Sequence, residues 1–416
     1  MSCELIELGR ILVSFKIPCA IIKDIRILET ADEHGYLMLR MIPKAQPQQA
    51  DLLRLKNTPI SLMEYDGTVV FDGVCLSAAL NTQLGYAEVT VFAATKTVLA
   101  DQEKKTKTFQ SQSKTMKELA DDRLSPYGIT VKIDQDFTIP EMLSQEAETD
   151  WAFIRRIANQ YGKLVFVDSK SCANQIHIGT LPFSAADLDP ILNSSVERNI
   201  QEFSLIQANL NRAASAFEFE TRIVETYNLA VGAGHMAQLS QAQIVMASEI
   251  VAKHGYLTNT LRLRHKEGAV PSMHQARSPI THTSILTGTV KEISGTNVRV
   301  EFTGPDDMRW IPYENLVSNY FYCMPDIGDT VFVYYEVGDS DKISCLGSRH
   351  VNDSPDFGVY QDKMLTANNK MIKFSDQTLD LAASRKAYDG EGGEYSHINF
   401  DKQGGIQISS TQKIII

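Results

Sequence analysis

Up to residue 108, short runs of β-branched and apolar residues alternate with turn residues. AIIKDIRILET, GYLMLRMIP, TPISLMEYDGTVVFDGVCLSAALNT and GYAEVTVFAAT carry the pattern, which predicts strands. Asp66-Gly67 between ISLMEY and TVVFDG has hairpin chemistry. Several strands so close together predict a barrel or sandwich over residues 1–108.

The pattern then changes period. Thr115 and Glu118 have capping-box spacing, and Met116, Leu119 and Ala120 follow at helical intervals. A second helix lies in QEAETDWAFIRRIANQYG, Gln145 to Gly162. Thr149 or Asp150 can cap it, and Gly162 can end it in the left-handed conformation. At about 100° per residue, Trp151, Phe153, Ile154, Ile157, Ala158 and Tyr161 share one arc, while Arg155, Arg156, Asn159 and Gln160 fill the other. With the strands GITVKI and KLVFVD, this predicts a small α/β insert over 109–190. Strand character returns in SAFEFETRIV and LTNTLRLRHKEG. Ser240, Gln243, Ile244, Ala247, Ile250, Val251 and Gly255 suggest one helix between them. The expectation for 191–280 is a second barrel carrying one helix, ending in the linker PSMHQARSP. Five short strands from SILTGTVKEI to DKISCLGS predict an oligonucleotide/oligosaccharide-binding (OB) type barrel over 281–350.

The last segment, 351–416, repeats itself. Ile372, Phe374, Gln377, Leu379 and Leu381 answer to Ile398, Phe400, Gln403, Ile406 and Ile408. Two copies of a period-2 strand pattern predict a β-prism or β-helix. The closing run KIII reads as an open strand edge, continued by further sequence or covered by other chains.

The chain has 416 residues, 43% hydrophobic and 22% charged, as expected of several globular domains. A net charge of −11 argues against a general nucleic-acid binder. The OB region is acidic too, with five Lys and Arg against ten Asp and Glu; Trp310, Tyr313, Tyr320, Phe321 and Tyr322 are therefore read as core or interface aromatics. Six cysteines without C-x-x-C spacing imply free thiols in a reducing compartment and no zinc site. Neither a signal peptide nor a membrane-spanning run is visible. Gly232-Ala-Gly234-His235 is read as a plain turn, because a dinucleotide site needs a third glycine and a βαβ frame. His265, His274 and His282 match no ligand spacing, and neither Asp121-Asp122 nor Asp389–Glu394 has calcium-loop spacing. No catalytic, cofactor or metal residue is assigned.

The 145–162 stretch also carries a resemblance. Gln145, Glu148, Thr149, Asp150, Trp151, Phe153, Ile154, Arg156, Ile157, Ala158 and Gly162 read Q-x-x-E-T-D-W-x-F-I-x-R-I-A-x-x-x-G. This resembles the signature of the VgrG spike proteins of type VI secretion and the phage late-control D tail-hub proteins. MPDIGDTVFVYYEVGD, with Pro325, Gly328 and Asp329, is similar to that family's OB strand motif.

The fold expected is thus mainly β with an α/β insert: two hub β-barrels, a small α/β domain, an OB-fold barrel and the start of a trimeric β-prism or β-helix. The resemblance implies a non-enzymatic hub and membrane-piercing spike of a contractile injection machine. It implies a homotrimer adapting a six-fold tube to a three-fold needle, without cofactor. Its partners would be an Hcp-like or phage tail tube protein, baseplate proteins, a tip or effector protein and the target membrane, and no nucleic acid. Such a chain is made in the cytoplasm, assembled into a tail particle and delivered outward on contraction. Ile372, Phe374, Leu379, Leu381, Ile398, Phe400, Ile406 and Ile408 would face the spike core, with Asp376 and Lys402 outward. Arg155 and Arg156 become candidates for inter-domain or inter-subunit salt bridges. Only about twenty residues separate the OB region from the repeat, too few for a lysozyme domain. The alternatives are a peptidoglycan-cleaving hub, an OB-fold nucleic-acid binder, and a carbohydrate-binding or adhesion protein.

Overall fold

This computed structural model describes residues 5–83, 86–140, 142–170, 174–179, 188–201, 203–204, 215–238, 242–269, 283–302, 308–314, 324–336, 339–348, 363–367, 370–375, 377–384, 395–411 and 413–414. The linker PSMHQARSP, His274, His282, Tyr320 to Tyr322, Asp376 and Asp389–Glu394 lie outside them. The chain forms two compact units, Met1–Gly347 and Ser348–Ile416.

In the first unit, eleven strands form one sheet. Cys19–Thr30, Tyr36–Pro43, Pro59–Glu64, Val69–Gln83 and Tyr86–Ala94 make most of its first half. The Asp66-Gly67 hairpin is present, with Gly67 at φ 91°. Ile191–Arg198, Glu220–Thr226, Met236–Gln238, Ala242–Lys253 and Tyr256–His265 make the second half. The two strand sets expected as separate barrels are joined edge to edge, because Cys19–Thr30 pairs with Ala242–Lys253 from Arg26↔Val251 to Thr30↔Ala247. One core lies around Ile25, Leu39, Phe71 and Val91 and takes in Leu229, Ile250 and Leu257 from the second half, and another lies around Val224, Val245 and Leu261.

The helix expected around Ile244 to Val251 is corrected: Ala242–Lys253 is a strand paired on both sides. A β-bulge between Val245 and Ala247 shifts the two-residue alternation. Gln243, Ile244, Val245, Ser248 and Ile250 are buried, whereas Ala247 and Val251 of the expected stripe are only half-buried, so the apolar spacing in this segment does not mark a helical face. Two-sided pairing and β-branched side chains override the short capping pattern.

The α/β insert follows its prediction more closely. Met116–Leu124 starts at a reciprocal Thr115–Glu118 capping box. The signature helix is Asp150–Gln160, capped by Thr149 and ended at Gly162, φ 67°. Gln145 to Thr149 belong instead to strand Leu143–Thr149, paired with Lys104–Phe109. The helices pack on a three-stranded sheet of Thr130–Ile133, Val165–Val167 and Gln175–Ile178.

The expected five strands of the OB region are present: Thr283–Ser294, Asn297–Glu301, Trp310–Pro312, Thr330–Glu336 and Asp339–Ser348. A parallel bridge between Tyr313 and Cys345 links the end beyond Trp310–Pro312 to the last strand. Val290, Val298, Val300, Ile311, Val331 and Val333 fill the interior.

The second unit is a five-stranded antiparallel meander of Lys363–Ala367, Lys370–Phe374, Thr378–Ser384, Tyr395–Asp401 and Ile406–Ser410. The sequence repeat is two hairpins. One turns between Ser375 and Thr378, and the other between Asp401 and Gly405, which holds the extra glycine. Within one chain this is a single sheet rather than a coil of β-helix. The first strand occupies part of the segment expected as a spacer.

Candidate functional site: the signature joint and the apolar spike face

The signature residues converge on one carboxylate. Asp150 is fully buried at the start of its helix. Its Oδ2 accepts from Lys105 Nζ at 2.7 Å and the Tyr127 hydroxyl at 2.8 Å, and its Oδ1 accepts from Gln145 Nε2 at 3.0 Å. Burial pulls this carboxyl upward, but the hydrogen bonds from Lys105, Gln145 and Tyr127 outweigh it and hold the group below the usual carboxylate range. The same bonds to Asp150 and Tyr127 raise Lys105. Gln145 also donates to Glu148 O at 2.9 Å. Arg156 forks onto the Glu148 carboxylate at 3.1 and 2.8 Å and reaches Ser144 O at 2.8 Å. Phe153 stacks on Phe109 at 5.4 Å, and Trp151 lies against His34 at 4.5 Å. The polar signature side chains are thus spent on neighbouring residues, most of them in the insert and Lys105 and Asp101 just before it, the chemistry of a structural staple.

The Ala31 to Gly35 turn is one of the places where the insert meets the hub sheet, beside the Ser169 contacts with Asp72 N and Glu29. Ala31 N donates to Met246 O at 2.8 Å, and Asp32 N to Val165 O at 2.7 Å. Asp32 has φ 64°, a left-handed conformation that Asp tolerates better than most residues. Its Oδ1 accepts from Val165 N at 2.8 Å and its Oδ2 from Asn159 Nδ2 at 3.1 Å. Arg155 donates to Asp32 O at 3.1 Å and lies 3.5 Å from Glu33. Of the two arginines expected to form salt bridges, Arg155 therefore reaches across to the hub turn, while Arg156 stays within the insert. Burial pushes Asp32 up to about 6 despite the hydrogen bonds from Val165 and Asn159.

His34 completes the turn. Its Nε2 lies 3.4 Å from Asp101 Oδ2 and its Nδ1 2.8 Å from Thr97 Oγ1. A carboxylate only accepts, so Nε2 carries the proton and Nδ1 accepts from Thr97. Asp101 Oδ1 in turn accepts from the Thr149 hydroxyl, whose oxygen caps the signature helix. Burial lowers His34 despite Asp101. Lys105, Tyr127, Asp101, Asp32 and His34 were not legible as site residues, because their partners lie far away in sequence and no local spacing marks them.

The Gly232–His235 turn cradles an anion belonging to the chain itself. The buried Glu29 carboxylate accepts from Ala233 N at 3.2 Å, Ser169 N at 3.3 Å and the Ser169 hydroxyl. A Cβ on Gly232 would stand 2.4 Å from Glu29 Oε2, so the glycine is needed for a carboxylate rather than a phosphate. A cavity of about 140 Å³ beside it is lined by Asp168, Lys170, His177 and His235. Burial, with Lys132 and His235 nearby, lowers His177 to about 4. Among the described residues, no three His, Cys, Asp or Glu side chains gather as a metal site.

Pro325, Gly328 and Asp329 build the turn that opens an OB strand. Asp326 N donates to Asp329 Oδ2 at 2.9 Å, and Gly328, at φ 100°, donates to Val290 O at 2.9 Å. The barrel is locked to the insert by Arg309, which donates to Gln110 O at 3.0 Å and Pro140 O at 2.9 Å. Trp310 is covered by Arg299 at 4.5 Å.

In the second unit, all eight expected spike-core residues lie on one face. Phe374, Leu379, Phe400 and Ile406 are successive cross-strand partners, and so are Ile372, Leu381, Ile398 and Ile408. In the single chain Phe374 is 52% exposed and Ile406 64%. The opposite face is polar: Asp380 accepts from Thr378 Oγ1 at 2.8 Å, His397 Nε2 at 3.0 Å and Asn399 Nδ2.

The fold is that of VgrG-like spike and tail-hub proteins. No family pattern and no curated protein matches the sequence, whereas solved structures do. One is the Escherichia coli c3393 protein, described as a component of the type VI secretion system with structural similarity to the T4 bacteriophage tail proteins gp27 and gp5. It matches at TM-score 0.58 and 11% identity over 82% of this chain and 99% of its own. Another is a chain of the Francisella PdpA-VgrG complex, at TM-score 0.56 and 9% identity over 94% of this chain and 76% of its own. No helix among the described residues is long and apolar enough to cross a membrane.

Proposed function

We propose that this chain is a structural, non-enzymatic hub and spike of a contractile injection machine, working as a homotrimer. The observation that carries the proposal is the pair of apolar ladders on one face of the terminal sheet, in a chain whose fold matches such proteins over most of its length. A sheet with one uncovered apolar face is unstable alone in water. Three copies around one axis would cover three such faces and form a prism, with Phe374 and Phe400 inward and the Asp380 face outward. The hub halves of three copies would make six, to meet a six-fold tube of Hcp-like or phage-tail type, beside baseplate proteins and a tip or effector protein. The division into 1–108, 109–190, 191–280, 281–350 and 351–416 is the working domain scheme. On this reading the particle assembles in the cytoplasm and crosses the target envelope on contraction.

The signature residues serve as internal fastening, and catalysis has no assigned residue. Negative-stain imaging of the purified chain tests the proposal. Three-fold particles with a narrow projection are expected, and particles of single-chain size would contradict it. The peptidoglycan-cleaving alternative is tested separately by turbidity of a cell-wall suspension, where no clearing is expected.

A further inference from the structure

We propose that the Ala31–Gly35 turn is a proton-operated latch, in which uptake of a proton by the Asp32 carboxyl tightens the joint between hub sheet and α/β insert. The geometry points there because Asp32 is a buried carboxylate, 7% exposed, with neutral donors on both oxygens. The nearest cation, Arg155, places its hydrogen bond on the Asp32 backbone carbonyl and its ion pair on Glu33. A buried carboxylate held only by neutral donors is costly when ionised and much less so when protonated. The position matters because the same five-residue turn touches three elements at once: the Asp150–Gln160 helix, strand Val165–Val167 and strand Ala242–Lys253.

The charged groups facing Asp32 are few. Arg155 on the helix favours the ionised form and Glu33 on the turn opposes it, while Asn159 supplies an amide. The Val165 and Met246 backbones supply only an N–H and carbonyls. The raised value of about 6 agrees with the geometry. Because the folded value lies above the ordinary one, the added stability is fully present in acid below about 4 and is lost as pH rises through about 6. His34 and His177 act in the opposite sense, since both are lowered by burial. Their contribution is common to any Asp32 variant and cancels in a comparison.

Backbone hydrogen exchange at Val165 tests the latch on the full chain. After correction for the intrinsic pH dependence of exchange, the ratio of Val165 amide protection in the unaltered protein to that in Asp32→Asn should rise about tenfold from pH 7 to pH 5. Asparagine keeps the shape and tolerates the left-handed backbone. A ratio that stays constant over this range would overturn the proposal. Should Asp32→Asn fail to fold, a carboxyl NMR titration of Asp32 in the unaltered chain replaces it. A midpoint near 6 supports the latch, and a midpoint at the ordinary carboxylate value overturns it.

Discussion

Asp150 is the residue on which the insert is most dependent. Lys105, Tyr127 and Gln145 all donate to it, and Arg123 lies 3.7 Å away. Removing the carboxylate strands three buried or half-buried donors. Asp150→Ala is expected to destabilise the chain by about 3 kcal/mol in denaturant unfolding, with Asp150→Asn costing less. Since its folded value is depressed, the stabilisation is present above the ordinary carboxylate range and fades as pH falls through the folded value. The Asp150→Ala deficit should therefore shrink in strong acid. Sequence alone marked Asp150 as a cap candidate and family-signature position. It did not mark the load on it, because Lys105 and Tyr127 are 45 and 23 residues distant.

At the level of elements, period and turn chemistry located what depends on local sequence. The Thr115–Glu118 box, the Gly162 terminus and the Asp66-Gly67 hairpin were all legible. Ala242–Lys253 was not, because its apolar residues are spaced irregularly around a bulge and its pairing on one side comes from a distant strand. The terminal meander was legible as a repeat, and its register shows why. Ile372–Phe374 and Ile398–Phe400 must lie on one face for the ladders to form. Covering that face would contribute about 1 kcal/mol or more per side chain. Phe374→Lys with Phe400→Lys should therefore abolish self-association, read by sedimentation. The near-ultraviolet circular dichroism of the first unit, with Trp151 in its core, should be unchanged.

On the scale of the whole chain, the order of parts and the signature pointed to a spike-like architecture, and fold comparison agrees over most of the length. What local pattern could not reveal is that the two hub halves share one sheet and that the Ala31–Gly35 turn fastens that sheet to the insert. Both are made by pairings across more than a hundred residues. The central claim is assembly by three copies through the terminal sheet. Multi-angle light scattering of the purified full chain addresses it most directly. The account predicts a mass three times the 46.4 kDa of one chain, and a stable species of one chain mass at high concentration would contradict it.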